Sequence, residues 1–563
     1  MKKYYKNFGF TIVELLVVIV VIGILAAITI VAYSGISKKA ISSTIQSDLT
    51  NASKQLKAFQ AVSSTSSFPV SITDCPNPAN TNICLKSSGT NSYTNYTVDN
   101  STNPATFSLT ESNGTIVYII TNDTAPVAVT VPVLTSPTSA SITGTTATIG
   151  ANVTSNGGSG LTEVGSCWGT SPSPTTNCSP MPVGGLTPLS TPTVNTDGSP
   201  MSIVISPDGK SAYTANWAAS TISQFSRNVT TGILTPLATP SVPTGSSPVN
   251  VVVSPDGKSV YVTNYNSGDV SMYSRDANTG ALTALATPTI TANTWAYGIN
   301  VTSDNKSVYV SNVTGSISMY SRDLNSGALT ALSPASFYAG DYPYAVTSSP
   351  DGKSVYVTNR NAFAISMLNR DVNTGLLSYM STPTIGTGSY PYGLVVSPDG
   401  KSVYTTDPGN VYGANGTVSM YSRNVTTGIL TALATPTVTG GSEARIISIS
   451  PDGLSVYTAN RTSGTVSMFS RDATTGMLSA MAVPSIDAAW ATWGVSVSFD
   501  GKNVYASAAD SSYIRMYKRT TFDLGVFTHP RTGLPSGTTI YYRGYATNIV
   551  GTGYSADSNF TTP

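Results

Sequence analysis

The chain has 563 residues, a formal net charge of +1 and only 10% charged residues. That length calls for several domains, and so even a charge balance excludes a chain built to bind nucleic acid electrostatically. Metal chemistry is poorly supplied as well. His529 is the only histidine, and the four cysteines fall into two close pairs, Cys75/Cys84 and Cys167/Cys178, neither with CxxC spacing. In an exported chain such pairs read as small disulfide loops; no metal and no cofactor is expected.

The first element is an apolar run from Gly9 to Tyr33, preceded by Lys2, Lys3 and Lys6. It reaches the ~20 residues that a bilayer-crossing helix needs. The lysines place the short N-terminus in the cytoplasm and the rest of the chain outside. It lacks an A-x-A cleavage end and is too long for a secretory signal. Glu14 breaks the run. A carboxylate in hydrocarbon costs roughly 3 kcal/mol on insertion scales, so its presence asks for a function.

Basic leader, Gly9, Phe10, three residues, Glu14 and then an apolar helix: this order resembles the class III leader of type IV pilins and pseudopilins. The resemblance implies that a prepilin peptidase cuts between Gly9 and Phe10 and that the new Phe10 amine is methylated. It implies a single-pass stay in the cytoplasmic membrane, handling by the inner-membrane assembly machinery, and assembly with other pilin subunits into an extracellular filament. Glu14 would there pair with the Phe10 amine of a neighbour, which suits a buried acid in need of a cation.

Ile41, Ile45, Leu49, Ala52, Leu56 and Phe59 continue one apolar stripe at steps of three and four. The transmembrane and filament helix is therefore expected over 10–62, after a leader over 1–9. Three strand-sized runs follow, Asn95–Val98, Ala105–Leu109 and Thr115–Thr121. The pilin resemblance implies that the helix packs on a small antiparallel sheet, a head over 63–124.

From residue 125 the texture changes to short Val/Thr runs, with strands expected at Val129–Leu134, Ser141–Ile149 and Leu161–Trp168. Together with Leu534–Thr562, whose GTTIYYRGYATNIVGTGYS has the look of an F–G strand pair, this resembles a fibronectin type III or immunoglobulin-like sandwich in two pieces, 125–182 and 522–563. The alternative is two unrelated partial sandwiches, each with exposed edges.

Between the pieces lies a repeat. Its turn aspartates, Asp208, Asp256, Asp304, Asp351, Asp399, Asp452 and Asp500, are spaced 48, 48, 47, 48, 53 and 48 residues apart. Seven copies with four strand-sized runs each imply a seven-bladed β-propeller over 183–521. The unit SPDGKSVYVTN…SMYSRDxxTGxLTALATPT resembles the YVTN family and the propeller lactonases (6-phosphogluconolactonase-like proteins). The seventh copy lacks its last run, and a spare copy, Gly185–Val194, precedes the first. The N-terminal run is thus expected to close the ring. The PDG and RDxNTG stretches read as tight turns, and their Asp-x-Asn-x-Gly look lacks the bidentate Glu of a calcium loop. With strands a to d running outward, both kinds of turn fall on one face, where the sandwich is expected to attach.

The opposite, loop face carries the candidate ligand-binding residues. At the start of strand a stand Tyr297, Tyr344, Tyr392, Arg445 and Trp493; two residues earlier stand Trp295, Tyr342, Tyr390 and Glu443; Trp217 and Trp490 lie in loops. Aromatic rings around a funnel can stack on sugars or anchor a protein partner; packing between blades is the other reading. Propeller lactonases resembling this chain carry Pro-Arg-His at the start of strand a. Here Pro recurs (Pro200, Pro248, Pro343, Pro391), Arg survives as Arg445, and His is absent. Without a second titrating partner, Glu443 and Arg445 make a poor general acid–base set, so no catalytic residue is expected. The sequence reading is a minor or tip pilin that displays the propeller for binding a glycan or surface protein. A structural pilin or secretion pseudopilin with a spacer propeller is the alternative, and a lactonase-like hydrolase the third.

Overall fold

The computed structural model describes residues 39–63, 67–72, 82–100, 105–113, 116–157, 161, 163–180, 183–409, 415–521, 524–548 and 550–563. Gly9, Phe10, Glu14 and Cys75 lie outside them. Among the described residues no helix is long and apolar enough to cross a membrane. The chain is mostly β, and it divides into two compact units, residues 182–522 and the two flanks together.

In the first flank, residues 39–62 are helical. Its stripe of Ile45, Leu49, Ala52 and Leu56 is fully buried, against Phe68, Phe107, Leu109 and Ile120. Ser92–Asp99, Thr106–Ser112, Val117–Thr121 and Val127–Val129 form one antiparallel sheet, paired in that order. The last strand adds to what the sequence showed, because Val127–Val129 pairs into this sheet and not into the next one. Cys84 is disulfide-bonded.

The flanks pair with each other. Gly525–Thr532 lies antiparallel to Thr146–Ser155, which in turn pairs with Val133–Ala140. In a second sheet Thr539–Thr547 pairs with Glu163–Gly169. Ala147, Ile149, Leu534, Ile540, Tyr542 and Phe560 form the core between the sheets. The strand expected at Ser141–Ile149 starts later, because Ser141 turns the chain at φ 51° and Thr143 closes that turn on Thr146. A uniform Ser/Thr texture hid that turn. The Cys167–Cys178 disulfide forms, as the spacing led us to expect.

Seven four-stranded sheets make the propeller. Blade one runs Pro200–Ile205 (strand a), Ser211–Asn216 (b), Thr221–Arg227 (c) and Leu234–Pro243 (d), each antiparallel to the next. Strand b is buried on both faces, as in Ser259–Asn264, because a blade lies against it on either side. That is why SVYVTN reads as a continuous run and not an alternating one. Every strand d bulges, and Pro192, Pro240, Pro288, Pro334, Pro383, Pro436 and Pro484 sit in those bulges, where they blunt the outer edge. The seventh blade takes Leu186–Asn195 as its fourth strand, paired with Tyr513–Arg519. Two backbone bonds of 2.8 Å, between Gly184 and Thr520 and between Thr520 and Gly185, hold the two chain crossings side by side.

On the turn face the repeat closes a clasp between successive blades. In one of them, Arg275 at the end of strand c reaches the Asp208 carboxylate of the previous blade at 2.8 Å. It also donates to the Tyr213 hydroxyl at 3.0 Å, and that hydroxyl donates to Gly280 O at 2.6 Å. The ion pair recurs as Arg227–Asp500, Arg322–Asp256, Arg370–Asp304, Arg423–Asp351, Arg471–Asp399 and Arg519–Asp452. The turn aspartates therefore do more than shape a turn. At the ring's seam the Tyr457 hydroxyl finds Gly184 of the incoming segment in place of a seventh TG turn.

Candidate functional site on the loop face

Strand a enters from the loop face through a sharp bend, and the bend has one conformation in all seven blades. Ser199, Ser247, Trp295, Tyr342, Tyr390, Glu443 and Ala491 all have positive φ, from 47° to 62°. In six blades the residue after strand b donates its N–H to the carbonyl of this residue, for example Trp217 to Ser199 (3.0 Å) and Arg360 to Tyr342 (2.9 Å). Blade five has Pro408 there, which has no N–H to give. The left-handed region is a genuine outlier for a bulky side chain and costs about 1–3 kcal/mol. Blades three, four and five nevertheless put Trp295, Tyr342 and Tyr390 at that position. Trp295 is 40% and Tyr342 37% exposed, and Tyr390 is half-buried. Trp295 stacks parallel to Tyr265, whose ring also meets Trp217 at 5.6 Å.

Two residues further on, the side chains point to the axis and pack with one another. Tyr297, Tyr344 and Tyr392 lie within 4.5 to 5.8 Å of each other, and Trp493 meets Tyr392 at 6.2 Å. The Tyr297 and Tyr392 hydroxyls are hydrogen-bonded. Contacts from blade three to blade five, and from blade five to blade seven, span the channel, so the rings form a plug across its mouth. Beneath it a cavity of about 150 Å³ is lined by Asn250, Ile299, Val346, Leu394 and Ile447 among others.

The structure thus divides the predicted aromatics into two groups. Tyr297 and Tyr392 are buried, at 7% and 3% exposure, and their faces are taken up by neighbouring rings; they are packing residues of the plug. Tyr344 and Trp493 are half-buried at its rim. Trp295, Tyr342 and Trp490 remain exposed, and Trp217 half-buried.

Arginines cover the plug on one side. The Arg445 guanidinium lies over Tyr392 at 4.5 Å and over Trp493 at 4.8 Å. Glu443 pairs with both Arg445 and Arg461, the latter at 3.1 Å, and accepts from Thr462 at 2.7 Å. Burial works against its charge, but Thr462 and the two arginines outweigh that and hold its carboxyl below the usual range. A carboxylate whose pKa is lowered is a weaker proton acceptor. Glu443 and Arg445 thus pair with each other, and Arg461 joins them. Arg360 lies over Tyr344 at 5.5 Å and Tyr390 at 5.0 Å. Neither Arg360 nor Arg461 stood out in the sequence, where each simply follows the Asn that ends strand b.

Asp407 takes the place of that Asn in blade five. It is buried, accepts from Ser419 at 2.5 Å, and burial pushes its carboxyl up to about 7. Among the described residues no group of His, Cys, Asp and Glu could hold a metal ion.

A ring of seven such repeats, closed by its own N-terminal strand, defines a class of propeller, and comparison with known families agrees. The family described as Lactonase, 7-bladed beta-propeller matches at 185–292, 283–389 and 380–493, together more than half of the chain. The chain belongs to that family. A prokaryotic N-terminal methylation motif matches at residues 5–30. This leader implies processing by prepilin peptidase, assembly with other pilins, and a membrane-anchored stage before an extracellular one. No curated protein matches. Among solved structures, a candidate 6-phosphogluconolactonase from Bacteroides fragilis is 20% identical, with a TM-score of 0.46, over 59% of this chain and 97% of its own. Hydrazine synthase from Kuenenia stuttgartiensis is 21% identical (TM-score 0.45; 60% and 99%). A periplasmic gluconolactonase from Pseudomonas aeruginosa is 17% identical (TM-score 0.43; 52% and 86%).

Proposed function

We propose that this chain is a minor or tip subunit of a type IV pilin-like filament that displays its propeller as a binding module. The flanking two-sheet unit serves as a fibronectin III or immunoglobulin-like mount. The loop face is the adhesive surface, and the propeller acts by binding and not by hydrolysis. The observation that carries this reading is the arc of Trp295, Tyr342 and Tyr390, three large rings held at positive φ beside a surface where Ser or Ala fills the same position in other blades. Strain of this kind is retained where the surroundings impose it, often at functional positions. Packing alone does not call for the rings, because Ser199, Ser247 and Ala491 make the same bend without them. Bulk also speaks against use as the main repeating subunit, since the appended domains must clear their neighbours.

The test uses the full-length chain in detergent, presented to target-cell surfaces and a glycan array beside a Trp295→Ala/Tyr342→Ala/Tyr390→Ala variant shown to melt like the parent. Loss of binding in the variant is the expected result. Equal binding by both, or none by the parent, overturns the loop-face assignment and favours a spacer. Processing is tested separately. Mass spectrometry of the assembled chain should find N-methylated Phe10 as its first residue, and Gly9→Leu should abolish that species.

A further inference from the structure

Alone among the arginines of the described residues, Arg360 makes no side-chain hydrogen bond and no ion pair. Its counterparts are all engaged. Seven close the blade clasps. Arg445 and Arg461 share Glu443, and Arg515 pairs with Asp487. Arg531 and Arg543 donate to oxygen atoms in the flanking unit. Arg360 has only the two tyrosine faces, its Nε is buried without a partner, and Asp341, which precedes Tyr342, forms no ion pair with it. A cation–π contact contributes about 0.5–1 kcal/mol at exposed sites, less than the roughly 1.5–3 kcal/mol of a hydrogen bond to a charged group. The rings therefore orient the guanidinium without satisfying its donors. A planar fork with free N–H groups is matched by an oxyanion with two oxygens.

The position of this fork matters. Its backbone N–H is bonded to Tyr342 O, and its guanidinium lies over Tyr344 and Tyr390, so it stands between the rim of the plug and one ring of the arc. We propose that the loop face takes an acidic saccharide. Its sugar faces stack on Trp295, Tyr342 and Tyr390, and its carboxylate or sulfate group is bound by Arg360. This rests on the loop face being the binding surface, and it adds the chemical class of the ligand. The carboxylate of Glu443, on the same face, is already held by Arg445, Arg461 and Thr462.

The experiment measures binding of the full-length chain in detergent to immobilised polygalacturonate, dextran sulfate and neutral dextran. The parent is compared with Arg360→Gln, Arg360→Lys and, as a control on the turn face, Lys210→Gln. Retention on an acidic polymer and not on dextran is expected, with affinity reduced about tenfold or more in Arg360→Gln, less in Arg360→Lys, and unchanged in Lys210→Gln. The polymer that binds tells carboxylate from sulfate. Equal retention on dextran, an unaffected Arg360→Gln, or a Lys210→Gln loss as large as that of Arg360→Gln overturns the acidic class. So does no retention on any polymer. In each of these cases the loop face as a binding surface is judged independently, by the cell-surface loss in the triple aromatic variant.

Discussion

The two faces of the propeller are made by the same seven repeats and have opposite character. On the turn face the repeat is kept: each blade has its aspartate, and each arginine finds the preceding blade's carboxylate at 2.7 to 2.9 Å. On the loop face the backbone is kept and the side chains are not. One bend at positive φ carries Ser, Ser, Trp, Tyr, Tyr, Glu and Ala in turn around the ring. Where an internal repeat holds its side chains, they serve the ring; where it holds only its backbone, the side chains are free to serve something else.

The comparison is broken most severely by acid. Burial of Asp208, Asp351, Asp399 and Asp500 works against their charge, but serine hydroxyl, backbone N–H and arginine partners outweigh it and hold these carboxyls below the usual range. Groups shifted down contribute stability that is complete above the ordinary carboxylate pKa, near ~4, and is lost as the pH falls through their lowered values. Circular dichroism melts should therefore show the propeller transition falling steeply below about pH 4, with little change between pH 5 and 8.

A single clasp comes next. Arg322→Met removes the partner of Asp256, which is 17% exposed, and takes one donor away from each of Ser254, Ser259 and Tyr261. Breaking such a pair costs about 3 kcal/mol, readable in urea denaturation. An equal cost from removing Arg360, which has no ionic partner, would erase the distinction between the two faces.

Smaller still is Asp407→Asn, which restores the residue of five of the other six repeats. With its pKa pushed up to about 7, Asp407 adds most to stability below the unfolded value, near ~4, and that contribution is lost as the pH rises through 7. The variant should gain about 1 kcal/mol at pH 8 and little at pH 4, measured by thermal melts at the two pH values. The smallest effect is Tyr342→Gly. Glycine relieves the left-handed bend and loses only a partly exposed ring, so stability should shift by no more than about 1 kcal/mol, while binding falls.

Much of this was legible in the repeat. The count of aspartates gave the blades, the displaced GLTPLSTPTV run gave the closing strand, and the stripe from Ile45 to Leu56 gave the core of the head. The clasp was not read, although its parts recur in every copy, because Asp and Arg lie in different blades and pair only after the ring forms. The sequence placed the aromatics on one face, but could not tell Tyr297 from Trp295. Two residues along a bent strand decide whether a ring joins the plug or meets solvent, and that depends on a φ angle that no side chain announces. Arg360 was missed for the same reason: what sets it apart is the partner it lacks.

The paired crossings at Gly184 and Thr520 have a mechanical consequence. A pull on anything bound at the loop face reaches the flanking unit through two covalent strands in parallel, leaving the ring side by side. The closing strand, laced to Tyr513–Arg519 and hooked by Tyr457, is one of those two strands, so the seam of the propeller is also where tension enters it.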